Sequence, residues 1–235
     1  MGAECSSGPH TRRHRGGRLL RLSTDRTRPM KRPLARRTFP AVVLTTLAGL
    51  ASAQTVDVGG VRLPTSAQLA GSTLALNGSG VRYRFVVKVY AAGLYLGGKA
   101  ATPEQAFAMA GPKRVHIVAL RELDANDFGR LFTRAMQDNA SKEDFSRSIN
   151  GTIRMGEAFA AKKRLAVGES IGVDWLPGQG TQIMINGKPW GEPVKEPEFF
   201  NSMLRIWLGK APVDDALKEA LLGREAKPVT NPGQQ

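Results

Sequence analysis

Arg82 and Tyr90 stand eight residues apart in a stretch, Val81 to Leu96, where β-branched and aromatic residues dominate and polar ones recur at alternate positions. A guanidinium presents a planar fork of donors suited to a carboxylate or an enolate, and a phenol can donate one more hydrogen bond to the same oxygen. Residues of equal parity share a face of an unbroken strand, so the two converge unless a bulge intervenes. Arg84, two residues on, would be a companion of Arg82. The competing reading makes both arginines solvated strand residues and Tyr90 a half-buried core tyrosine. A second group, Phe128, Leu131, Phe132, Met136, Phe145 and Trp207, could line an apolar cavity or simply fill a core; a void beneath it would decide.

The rest of the chemical inventory excludes more than it offers. Cys5 is the only cysteine, so disulfides, thiolate metal sites and a cysteine nucleophile are excluded downstream of it. His116 is the only histidine after His14, which leaves neither a multi-histidine metal site nor a serine-histidine-aspartate triad easily assembled. Gly178-Gln179-Gly180 is followed by a strand pattern with no lysine at the spacing of a phosphate loop, and reads as a turn. No cofactor and no metal are expected. The formal charge of +14 suggests nucleic acid until it is located: residues 1–53 hold 11 Lys/Arg and 2 Asp/Glu, and the rest of the chain has an ordinary balance. Lys162-Lys163-Arg164 reads as a helix end facing water.

The elements that must position these groups follow from periodicity. Thr55 to Val58 and Val61 to Leu63 flank Gly59-Gly60 as a hairpin. Ser72 to Leu76 is a strand meeting a turn cluster at Asn77-Gly78-Ser79-Gly80, after which Val81 to Leu96 is one bent strand or two short ones. Pro103 to Ala110 predicts a short helix and Lys113 to Leu120 a strand. Asp124 is placed to cap a helix whose Phe128, Leu131, Phe132, Ala135 and Met136 keep helical spacing. Ser141 with Asp144 opens another helix, carrying Phe145, Ile149, Ile153 and Phe159 toward the cationic Lys162-Lys163-Arg164. Ile171 to Leu176, Thr181 to Ile185 and Lys188 to Trp190 form a meander separated by Pro177 to Gly180 and by Asn186-Gly187. Pro197 starts a helix through Trp207, and Pro212 a last one to Gly223. The pattern is α+β: an antiparallel sheet with helices packed on one face.

Met30 opens a second N-terminus. Lys31, Arg32, Arg36 and Arg37 are followed by an apolar stretch, Phe39 to Leu50, and by Ala51-Ser52-Ala53, the order of a secretory signal peptide cleaved before Gln54. Arg36-Arg37 also fits part of a twin-arginine signal. The apolar stretch is shorter than the ~20 residues a span needs, so no transmembrane anchor is expected in the mature protein. The domains predicted are an over-extended or disordered N-terminus at 1–29, a signal peptide at 30–53, one domain at 54–223 and a flexible tail at 224–235, with the mature protein exported to the periplasm.

Leu76-Asn77-Gly78-Ser79-Gly80-Val81-Arg82, then Lys88-Val89-Tyr90-Ala91-Ala92-Gly93-Leu94-Tyr95-Leu96, resemble the opening of the chalcone isomerase fold, with the bacterial exported chalcone isomerase-like proteins the nearer match. Lys113-Arg114-Val115, Leu123 to Phe128, Gly178-Gln179-Gly180-Thr181 with Asn186-Gly187, and Ile206-Trp207-Leu208-Gly209 agree in order and spacing, so that the similarity runs from Val58 to Gly223. The resemblance implies an open-faced β-sandwich with a cleft between sheet and helices. In the plant enzymes that cleft closes a flavanone ring without a cofactor; related members bind fatty acids. It also implies that Arg82 holds and polarises the ligand. The family's catalytic threonine position reads Tyr90 here, and its tyrosine position aligns with Phe128. A phenyl ring cannot rebuild the hydroxyl-and-water network of ring closure.

Three readings follow. The first is an exported protein that binds a small amphipathic acid, fatty-acid-like or aromatic, without catalysis, through Arg82, Val89, Tyr90, Phe128, Leu131 and Phe132. The second is an isomerase or intramolecular lyase in which Arg82 stabilises an enolate and Tyr90 donates a proton. The third is an interaction module of the cell envelope, which predicts a filled core. His116 has no nameable partner for acid or base work, and nothing in the chain sets the oligomeric state.

Overall fold

Alternation and turn chemistry build the strands, and helical stripes cover them. The computed structural model describes residues 54–224; the N-terminal segment, the signal peptide read at 30–53 and all but the first residue of the tail read at 224–235 lie outside them. In chain order the elements are β1 (Thr55–Val58), β2 (Val61–Pro64), β3 (Ser66–Leu69), β4 (Ser72–Arg84), β5 (Val87–Leu96), α1 (Pro103–Ala108), β6 (Lys113–Ala119) and β7 (Leu123–Asp124). Then follow α2 (Ala125–Asn139), α3 (Lys142–Arg147), α4 (Ile149–Lys162), β8 (Arg164–Leu165), β9 (Ser170–Leu176), β10 (Gly180–Ile185), β11 (Lys188–Val194), α5 (Pro197–Leu208) and α6 (Asp215–Leu221). Seven strands form one sheet in the order β11-β10-β9-β6-β5-β4-β3, antiparallel throughout. This is the α+β architecture expected, with helices on one face.

Strand periodicity assigns the two faces. Tyr90, Ala92, Leu94 and Leu96 of β5 point into the large core with Phe128, Phe132, Phe199 and Trp207 from the helices. Ala91 points the other way, onto a smaller cluster with Val58, Leu63 and Val118, so the β1–β2 hairpin covers part of the opposite face. α5 is the centre of the helical layer: Phe199, Phe200, Met203, Leu204, Ile206, Trp207 and Leu208 are all buried. Each such side chain contributes on the order of 1.5–3 kcal/mol by leaving water. Caps are where the sequence places them, with Asp124 accepting from the Asp127 N–H and Ser141 from the Asp144 N–H. Among the described residues, no helix is long and apolar enough to cross a membrane.

Four local expectations are corrected. Asn77-Gly78-Ser79-Gly80 is no turn: β4 runs through it. Its glycines make room for α6, since a Cβ on Gly78 would lie 2.6 Å from the Leu221 carbonyl oxygen and one on Gly80 2.8 Å from the Ala220 Cβ. The reversal comes instead at Phe85-Val86, between β4 and β5. The helix read from Ser141 to Arg164 is two, separated at Ser148, whose buried hydroxyl donates to the Asp144 carbonyl and meets the Ser202 hydroxyl at 2.9 Å. Ile149 and Ile153 are therefore exposed, and Met155, Ala158 and Phe159 carry the burial of α4. The last helix begins at Asp215 and not at Pro212, with Asp214 as its N-cap.

Candidate functional site

Arg82 on β4 and Tyr90 on β5 are direct cross-strand partners, which places both side chains on the helix-covered face. A register irregularity follows at once, because Tyr83 pairs with Lys88 and leaves Val89 as the extra residue. The bulge falls just outside the pair and does not separate it. Val89 packs on the large core as Tyr90 does, so two neighbouring side chains of β5 serve one face.

A cleft of about 500 Å³ opens beside this pair, within the ~300–1,000 Å³ of small-molecule sites. Its walls are Val89 and Tyr90 from the sheet, Phe128, Leu131, Phe132 and Ala135 from α2, and Ala211, Pro212 and Val213 from the connection before α6. Arg82, Arg84, Arg121 and Arg134 stand along its edge, interspersed with Glu122, Asp124, Asp127 and Asp138. All six residues expected to hold a ligand, Arg82, Val89, Tyr90, Phe128, Leu131 and Phe132, line this one space. Leu131, exposed at 60%, stands at the mouth, whereas Phe128 and Phe132 are buried. Met136, Phe145 and Trp207, weighed as cavity residues, do not line the cleft and belong to the packed interior around it.

The two polar groups are each held by a residue whose part in the site the sequence did not reveal. Trp207 donates its indole N–H to the Tyr90 hydroxyl oxygen at 3.0 Å, and both side chains are buried. Burial pushes the Tyr90 phenol up to about 12; the Trp207 hydrogen bond and the Arg82 charge pull it down, and Asp214 reinforces the rise. Tyr90 is thus a neutral phenol at physiological pH, with an oxygen already accepting and a proton left to donate. Arg82 is not unaccompanied, because one of its nitrogens lies 3.4 Å from the Asp214 carboxylate. The same carboxylate accepts from the Tyr83 N–H at 3.2 Å and caps α6 through the Leu217 N–H at 3.0 Å. Asp214 could have been found: an aspartate three residues before Leu217 is an N-cap signal, hidden by starting the helix at Pro212. Trp207 was singled out as an apolar residue, but its bond to Tyr90 could not be foreseen across 117 residues.

The aromatic floor is a connected set. Phe128 meets Tyr90 edge-on at 5.8 Å between ring centres, Phe132 at 4.5 Å and Phe159 at 5.5 Å, and Phe132 meets Trp207 at 5.4 Å. Such contacts fix the rings beyond what their area alone would do. Chemically, the arrangement can take a molecule with a long or flat apolar body and an oxyanion or carbonyl end near Arg82 and Tyr90. His116 lies elsewhere, opposite Gly93 and Gly172 in the sheet, where burial and Arg114 lower its pKa. It has no part in the cleft.

Comparison with known proteins bears on the fold and the family. No curated protein sequence matches the chain. Among solved structures, the fatty-acid binding protein of Arabidopsis thaliana is similar, with a TM-score of 0.57 at 17% identity over 72% of this chain and 96% of that one, a likeness of fold. A family model described as chalcone isomerase-like matches residues 55–223, which is nearly the whole of the described chain. With the sheet order, the one-sided helical layer and the cleft between them in view, that match settles the kinship: the chain belongs to the chalcone isomerase-like family.

Proposed function

We propose that this protein is exported and binds a small amphipathic acid, fatty-acid-like or aromatic, in the cleft without transforming it. The observation that carries this reading is an apolar hollow of about 500 Å³ with the Arg82 guanidinium at its edge. Every methylene a ligand buries there adds ~0.8 kcal/mol, and the guanidinium, with five donors, can serve a ligand carboxylate while keeping its contacts to Asp214 and to the Tyr83 carbonyl. The description of the similar Arabidopsis thaliana protein as fatty-acid binding supports a lipid acid over an aromatic one. The test is native mass spectrometry after exposure to saturated and unsaturated fatty acids and to aromatic acids. Wild type retains one acid per chain, and Arg82→Ala loses most of it; undiminished retention by Arg82→Ala removes the assignment. Export is tested separately: the intact mass of protein recovered from the periplasm should correspond to a chain starting at Gln54.

A second reading is favoured by one detail. The Trp207 N–H occupies the Tyr90 oxygen, so the phenol proton is directed to other acceptors and can meet a developing enolate beside Arg82. That is the isomerase or intramolecular lyase reading. Chalcone turnover above the buffer rate, abolished in Tyr90→Phe, would establish it. Phe128, where the resemblance expects a tyrosine, supports binding over turnover. The envelope-module reading predicts a filled core, and the cleft stands against it.

A further inference from the structure

The β4–β5 hairpin ends in an apolar tip that ligand binding leaves unused. Phe85 and Val86 are exposed at 92% and 90%, with Tyr83 and Val87 partly exposed beside them. Neither Phe85 nor Val86 belongs to a hydrophobic cluster of the described residues. Phe85 also has φ of 55°, in the left-handed region, where the first turn residue of a two-residue hairpin is ordinarily glycine. A phenyl ring therefore stands where it packs on nothing and where glycine would relax the backbone. Strain of this kind at a solvent-facing apolar residue points outward, to something the ring meets beyond the chain.

The charges that flank the tip along the chain are cationic, and the cleft edge beside it carries four arginines among four acids. Arg84 precedes it and Lys88 follows it, and Arg121 and Arg134 share the cleft edge with Arg84. Among the described residues none of these four has a carboxylate within 4.0 Å. The neighbouring acids are engaged: Glu122 with Arg164, Asp127 with Arg130, Asp124 as the cap of α2, and Asp214 with Arg82; Asp138, farther along α2, is the acid of this edge without such a partner. Two protruding side chains fall far short of the ~800 Å² that each partner gives to a standard protein interface. They suffice for reversible seating in a lipid headgroup region, where shallow apolar insertion and attraction of cations to anionic lipid act together.

We infer that this tip docks on an anionic phospholipid surface, with Phe85 and Val86 entering the interface and Arg84, Lys88, Arg121 and Arg134 lying against the headgroups. Arg84 adjoins the tip and lines the cleft, so docking brings the cleft edge near the leaflet. The inference holds whatever the cleft contains.

The basic N-terminal segment would draw the full chain to anionic vesicles by itself, so the readout must be local. In the full chain carrying Cys5→Ser and Val86→Cys, an environment-sensitive dye on residue 86 is followed during titration with vesicles of phosphatidylcholine and phosphatidylglycerol, and with phosphatidylcholine alone. The expected result is a blue shift on the mixed vesicles, and none for the same dye at Ile153→Cys, another exposed apolar site. Arg84→Gln and Lys88→Gln each weaken the response about fivefold, the value of one cation near such a surface. Phe85→Gly weakens it while raising the thermal midpoint, a combination that a purely structural role for Phe85 excludes. The inference is overturned if residue 86 stays in water on mixed vesicles, if residue 153 shifts equally, or if the dye at 86 shifts with protein concentration in the absence of lipid, which would mark self-association.

Discussion

β5 carries two buried tyrosines five residues apart, one on each face, and they have been given different work. Tyr95, on the β1–β2 side, donates to the Pro64 carbonyl at 2.9 Å, tying the small hairpin to the sheet. Tyr90, on the helix side, accepts from Trp207 and keeps its proton. Burial pushes both phenols up to about 12, so the shift does not distinguish them. What does is the direction of the hydrogen bond. A hydroxyl that donates to backbone is spent on structure, and one held by an incoming N–H beside a cleft has its donor in reserve.

The largest effect that could break this contrast comes from Trp207. Trp207→Ala empties fully buried volume and is expected to cost on the order of 3–5 kcal/mol in denaturant unfolding. A smaller loss would mean that the core collapses around the site. Next come the tyrosines themselves. Tyr90→Phe leaves the buried Trp207 N–H without its acceptor and should cost about 1–3 kcal/mol, whereas Tyr95→Phe frees the carbonyl of exposed Pro64 to water and should cost about 1 kcal/mol or less. Equal costs from parallel urea titrations would erase the distinction. Acid binding, measured alongside, should change in Tyr90→Phe and not in Tyr95→Phe.

Arg82→Ala sharpens the comparison from the ligand side. Retention of a carboxylate should fall about tenfold, as expected when a charge-assisted contact is lost, while unfolding changes by under about 1 kcal/mol because the Asp214 pair is partly solvated. Loss of stability without loss of binding would make Arg82 a structural residue. A further effect is confined to alkaline pH. Both phenols bind their protons more tightly in the folded chain than at the ordinary value of 10.0, so their stabilisation is complete below pH 10 and drains away as pH rises from there to about 12. The slope of unfolding midpoint against pH in that window should fall in Tyr90→Phe and in Tyr95→Phe alike.

Much of this was legible because it rests on local rules. The Asp124 and Ser141 caps, the stripe of α2 and the β9–β10–β11 meander follow from spacing alone, whereas the Arg82–Tyr90 convergence, left open by the sequence, comes from pairing across two strands. Asn77 to Gly80 shows where local rules misled. Four turn-forming residues sit inside a strand because Gly78 admits the α6 backbone and Gly80 the Ala220 side chain, and because Asn77 bridges to Ala100 and to the Leu221 carbonyl. A glycine needed for close approach and a glycine needed for a turn look alike until the partner is known. The ligands of the site residues, Trp207 and Asp214, were hidden for a related reason: each meets its partner across more than a hundred residues, and no periodicity reports that.

The seating of α6 on those two glycines bears on the width of the hollow's entrance. With helix backbone resting directly on strand backbone, and Asp214 pinned to Tyr83 and Arg82, the segment 211–213 cannot slide against β4 without a clash. That side of the entrance is a jaw of fixed gauge, which sets the width of the opening there.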